Sequence, residues 1–177
     1  MMKKIKEILK LAHGDVLAIG LSEEEEEFLS NNKNITDIAT LHNKAMISKK
    51  VKTKIKSKEK TVSIKKLRKK FRKNRIDTTV CNLNEVEMYL KYIIKDMIYF
   101  TKDNIYLYFD ENDELKEKVE ERFKRYNVDI KIEKKENLIF FKIDIHDKKK
   151  NKVKDIIYFI KDTIDNGIEC IRAFITY

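Results

Sequence analysis

A chain of 177 residues, 42% of them hydrophobic, can bury one good core, so a single domain spanning 1–177 is expected. No apolar run approaches the roughly 18–20 residues that a membrane span needs, which argues against any bilayer-crossing helix. Forty Lys/Arg against thirty Asp/Glu leave a net charge of +10, yet residues 47–75 alone hold fifteen bases and one acid, Glu59. The rest of the chain is slightly acidic, and a partner drawn by positive charge should meet that one segment.

Residues 2–12 read as a helix, with Ile5, Ile8 and Leu9 at helical spacing. This start lacks the continuous apolar core and small-residue cleavage site of a signal peptide. The run "DVLAIG" (15–20) is a buried strand. Ser22 and Glu25 have the spacing of a capping box, and Glu23 to Glu27 fill the turn where a helix dipole favours acids, so a helix should run to about Ser30. "NITDIATL" (34–41) is the next strand.

A basic insert at about 47–75 follows, in two textures. "KVKTKIKSK" alternates strictly, with Val51, Thr53 and Ile55 on one side and Lys50, Lys52, Lys54 and Lys56 on the other, the pattern of a half-buried strand that "SKEK" could turn back into "TVSI". "IKKLRKKFRK" sets Ile64, Leu67 and Phe71 on a helical stripe whose other faces carry Lys65, Lys66, Arg68, Lys69 and Arg72.

Beyond the insert, "IDTTVCNL" (76–83) reads as a strand, and "NEVEMYLKYIIKDMIYF" as a helix with Val86, Leu90, Ile93, Ile94 and Met97 inward. "NIYLYF" (104–109) is a strand, followed by a solvated helix that turns Leu115, Val119 and Phe123 to the core. "VDIKIEKKENLIFFKIDIH" should be a hairpin around "KKEN". An added helix, "NKVKDIIYFIKDTIDNG", with Gly167 as its left-handed cap, and a strand, "IECIRAFITY", make a C-terminal extension at about 148–177. Alternating strands and helices, then a hairpin, predict an α/β, three-layer, Rossmann-like sheet with a terminal antiparallel β-hairpin.

That order resembles the class I S-adenosylmethionine-dependent methyltransferases. "EILKLAHGDVLAIG" looks like the family's entry into its first strand and glycine loop. "RIDTTVCNLNEVEMYLKYIIKDMIYFTKDNIYLYF" is similar to its fourth strand, following helix and fifth strand, and residues 113–146 look like its closing helix and hairpin. The likeness covers roughly residues 2–146 and rests on element order and hydrophobic texture.

The resemblance implies S-adenosylmethionine as cofactor, yet its motif positions are altered. Ala18 stands where the family has an acid at the end of strand one. Gly20 keeps the first of three glycines, while Ser22 and Glu24 replace the others. A side chain at such a position would intrude on the cofactor, and Glu24 is expected to fill the space. The ribose-binding acid of the second strand falls on Ala39, with Asp37 two residues early. The glycine turn before strand five is "TKDN". These changes predict a degenerate pocket with no bound cofactor. The alternative is an active RNA methyltransferase whose divergent loop uses Gly20 and Asp37 for S-adenosylmethionine. After strand four, "CNLN" offers Asn82 to orient an amine, without the family's prolines and aromatic, and Cys81 as a nucleophile of the cytosine-methylating kind. A buried strand cysteine is more often inert packing.

Other chemistry is thin. His13, His42 and His146 share no ligand spacing with each other or with Cys81 and Cys170, so no metal is expected. The two cysteines suit a reducing cytoplasm. No phosphate-binding glycine loop occurs, and the glutamates at the helix start would repel phosphate. Abundant Lys and Glu with no Gln fit a thermophile, while plentiful Asn and Ile fit an AT-rich genome equally. The insert remains the strongest functional signal. Its cations would displace counterions from RNA or another polyanion, reading backbone and shape in preference to sequence, since Phe71 is its only aromatic. Lysines also protect edge strands from aggregation. An acidic protein is the other partner considered, and a membrane surface is not favoured, because the helix lacks a large exposed apolar face. The last strand could pair across a homodimer.

Overall fold

A computed structural model describes residues 2–45, 50–55, 58–63, 76–87, 90–126 and 128–145. Helix α1 (Met2–Leu9) leads into strand β1 (Gly14–Ile19), helix α2 (Glu23–Ser30) and strand β2 (Ile35–Ala45). Strands β3 (Lys50–Ile55) and β4 (Lys58–Ser63) form a hairpin. Then come β5 (Ile76–Asn82), a 3-10 turn at Leu83–Glu85, α3 (Leu90–Phe100), β6 (Thr101–Asp110), α4 (Asp113–Lys124), β7 (Asp129–Lys135) and β8 (Leu138–Asp144). The sequence-predicted helix at 64–73 and the extension at about 148–177 lie outside the described residues.

All eight strands join one sheet in the order β4-β3-β2-β1-β5-β6-β8-β7. The four inner strands β2, β1, β5 and β6 are parallel. A two-stranded antiparallel ladder extends the sheet on each side: β3 and β4 beyond β2, and β8 and β7 beyond β6. Strand β8 inserts between β6 and β7. The fold is therefore an α/β sandwich of the Rossmann-like, methyltransferase-like kind, with the closing hairpin that the sequence predicted.

Strand β1 explains why its segment is an unbroken apolar run: helices cover both of its faces. Leu17 and Ile19 join Cys81, Leu107 and Phe109 in a core closed by Ile93 and Met97 of α3 and by Val119 and Phe123 of α4. Val16 and Ala18 point the other way, to Val80, Tyr106, Tyr108 and Phe140, under Ile5 and Leu9 of α1 and Leu29 of α2. Each fully buried Leu or Phe in these layers stabilises the fold by about 1.5–3 kcal/mol.

Three boundaries differ from expectation. The helix predicted from Asn84 starts at Leu90, because the Asn82 side chain caps a 3-10 turn first, its Oδ1 accepting the Asn84 N–H at 3.2 Å. "TKDN" is not a turn but the start of β6, where the hydroxyls of Thr101 and Thr79 meet at 2.7 Å in the buried interior. Strand β2 runs on to Ala45, four residues past the predicted end, since β3 supplies a ladder for it. Among the described residues no helix is long and apolar enough to cross a membrane.

Candidate functional site

In an open α/β sheet, ligands bind beyond the carboxyl ends of the strands where the strand order reverses. Here that point is the gap between β1 and β5: the chain leaves β1 through α2 on one face and leaves β5 through α3 on the other. Gly20 ends β1 with φ +67°. A Cβ on Gly20 would stand 2.8 Å from the Asn82 carbonyl oxygen and 2.8 Å from Cβ of Glu85. The glycine is thus required by the chain's own turn after β5, which lies against its open side.

The amino end of α2 is also satisfied from within. Ser22 Oγ accepts the Glu25 N–H at 3.3 Å, and Glu25 Oε2 accepts the Ser22 N–H at 2.8 Å, the capping box that the sequence predicted. Glu25 is buried and stands near the Tyr108 hydroxyl. Burial first, and then the Glu25 carboxylate, push that phenol far above its ordinary range, so it stays protonated. Glu24 does not fill the space beside Gly20. It is exposed and pairs with Lys6 of α1 at 2.9 Å, because position N2 of the capped helix points outward.

Asn82 lies at the crest, at the end of β5, with its carbonyl facing Gly20 and its side chain engaged in the turn cap. Asn84 continues the tie, its Oδ1 accepting the Asp110 N–H at the end of β6 at 3.1 Å. Cys81 precedes it, fully buried toward α3 and α4, and burial pushes its thiol well above the usual range. A thiol held protonated in an apolar core is a poor nucleophile. Asp37 is not brought to the crest. It pairs with Asp15 near the amino ends of β2 and β1, while Leu41 is the residue level with Ile19, which leaves Asp37 about 13 Å below. Ala39 pairs with Leu17 inside the sheet.

The β3–β4 hairpin stands beside this crest. Thr53 pairs with Leu41, Lys52 with His42 and Lys50 with Ala45. Because Leu41 is level with the end of β1, Lys50 is carried roughly 13 Å beyond the crest. Lys50, Lys52 and Lys54 fall at alternate positions of β3. Lys56, Lys65, Lys66, Arg68, Lys69 and Arg72 lie outside the described residues.

Sequence reasoning missed a polar clasp at the opposite end of the sheet. Gly14, with φ +66°, leaves room for the Asp77 carboxylate, which accepts the Asp15 N–H at 2.8 Å and meets Lys102 Nζ at 3.2 Å. Burial alone would raise Asp77, but the Asp15 N–H and the Lys102 ammonium outweigh it and hold the carboxyl below its ordinary value. His13 faces Asp103 at 3.4 Å, and Thr78 Oγ1 donates to the His13 carbonyl at 2.9 Å. These partners lie between 25 and 90 residues apart in the chain, so no local pattern announces them. Among the described residues no three His, Cys, Asp or Glu side chains converge as a metal site requires.

The class defined by strand order and crest is the Rossmann-like, methyltransferase-like sandwich. No family model matches the sequence, and no curated protein matches it either. Among solved structures, the chain is similar to a precorrin-6y C5,15-methyltransferase from Geobacter metallireducens GS-15, at 10% identity and a TM-score of 0.42, over 80% of this chain and 87% of that one.

Proposed function

We propose that this chain is a methyltransferase-like protein that has given up catalysis and serves as an RNA-binding or accessory subunit through its basic insert. The observation that carries the reading is the register of β3 on the end of β2, which raises Lys50 and Lys52 beyond the crest as a cationic wall. A polyanion lying on that wall gains by releasing counterions. Loss of catalysis is supported by the crest itself, where Asn82 and Glu85 occupy the space that a side chain at position 20 would take, Glu25 and Ser22 satisfy each other, and Cys81 is buried as a thiol.

Two measurements test this. Calorimetric titration with S-adenosylmethionine and with S-adenosylhomocysteine is expected to give no binding, and micromolar affinity for either overturns the loss of catalysis. Retention of RNA should fall on Lys50→Glu/Lys52→Glu/Lys54→Glu, with a salt dependence shallower by about two phosphate contacts. Unchanged retention removes the insert as the RNA site. Retention of an acidic protein in place of RNA supports the docking alternative.

One observation favours the runner-up, an active RNA methyltransferase: Asn82 ends β5 with its backbone carbonyl toward Gly20, and the Oδ1 that caps the turn leaves its side-chain NH₂ to orient a substrate. That reading requires methyl transfer that is lost on Asn82→Ala while the fold persists.

A further inference from the structure

On the α1 face of the sheet, two strands away from β5, α1 and the closing hairpin border a small open pocket of about 130 Å³, lined by Ile8 and Leu11 of α1, by Tyr106 and Phe140 of the sheet, and by Lys131 and Lys142. Leu11 is 50% exposed, a large apolar side chain left open to water at the rim. Tyr106, Lys142 and Lys131 are register partners across β6, β8 and β7, so they form one row on the face that α1 covers. Both ammoniums are exposed and set directly opposite each other in the sheet, where like charges repel and an anion placed between them is favoured. Neither lysine has an ion-pair partner among the described residues.

The third member of the row strengthens the point. Tyr106 is 4% exposed, and its hydroxyl has no hydrogen-bond partner among the described residues. The ring is buried, whereas the hydroxyl reaches the pocket and can donate to an acceptor seated there. Burial, followed by the charge of Asp144, raises the Tyr106 hydroxyl above its ordinary range, so it keeps its proton to donate. The acids around the pocket are Glu7, Glu133 and, below the row, Asp144. Glu133 is engaged by Lys135 at 2.7 Å.

We propose that this pocket binds a small carboxylate with one apolar ring or short branched chain, its head accepting from Tyr106 between Lys131 and Lys142 and its body resting on Phe140, Ile8 and Leu11. The volume sets the size, since a cavity of about 150 Å³ holds one benzene ring. The two lysines and the free phenol set the charge. This site is independent of the reading of the crest.

The test uses the full chain and two probes of one shape, 3-phenylpropionate and 3-phenylpropanol, titrated by calorimetry and by amide chemical-shift mapping. The carboxylate is expected to bind with shifts confined to α1, β7, β8 and the part of β6 around Tyr106. The alcohol, Lys131→Met/Lys142→Met and Tyr106→Phe should each weaken binding by about fivefold or more. Leu11→Ala, which trims the rim and leaves the row and its charge intact, should weaken both probes alike. Equal binding of the two probes overturns the proposal. So do unchanged affinity in the lysine double variant, shifts mapped elsewhere, and absence of binding at millimolar carboxylate.

Discussion

Replacing Gly20 with alanine asks whether the crest is closed by the chain itself. Two costs can be worked from the structure. At φ +67° an L side chain is strained by about 1–2 kcal/mol. The new Cβ would also stand 2.8 Å from a backbone carbonyl and 2.8 Å from Glu85 Cβ, so the turn after β5 must shift. Overpacking of that kind adds about 1–3 kcal/mol. The sum is about 2–5 kcal/mol, or roughly 5–15 °C in Tm for a chain of this length. Urea unfolding followed by far-UV dichroism should show a lowered midpoint with an unchanged slope. The loss should be the same with or without S-adenosylmethionine. A loss below about 0.5 kcal/mol would refute the reasoning, because it would mean that Asn82 and Glu85 do not fill the space beside Gly20.

Ser22→Ala should cost about 1 kcal/mol by removing the acceptor for the Glu25 N–H, read as a lowered urea midpoint. Asp77 has a depressed folded-state pKa, so its contribution is present above its ordinary value near 3.8 and is lost as pH falls through the lower folded value. Asp77→Asn should therefore lose stability at neutral pH and show a weaker decline below about pH 4 in pH-resolved unfolding. In a Cys170→Ser background, Cys81 should resist a thiol reagent at pH 8 until denaturant opens the core, and rapid native labelling would contradict its burial.

Local signals in the sequence were dependable where one segment carries its own instructions. Ser22 and Glu25 announce α2 because both halves of the capping box lie within four residues. Leu115, Val119 and Phe123 announce α4 by spacing alone, and the hairpin β7–β8 turns at Glu136, within the expected "KKEN", with φ +56°. Signals failed where a distant partner decides the conformation. "TKDN" carries the residues of a turn, yet Thr79 and the neighbouring strand hold it extended. Asp37 suits a cofactor acid by composition, but only the pairing with Asp15 shows that it sits at the wrong end of β2. The outward direction of Glu24 and the clasp around Asp77 depend on contacts across the chain in the same way.

The pairing of β1 with β5 has a consequence for how the molecule assembles. Val16 must find Thr78 across more than sixty intervening residues, whereas the β3–β4 and β7–β8 ladders close over a few. Hairpins form in microseconds, and distant parallel partners wait on the entropy of a long loop. That entropy grows only with the logarithm of length, by about 0.6 kcal/mol per doubling. The stretch between β2 and β5 could therefore grow or shrink over generations with little penalty to the sheet, which makes it a permissive place for a new surface to arise.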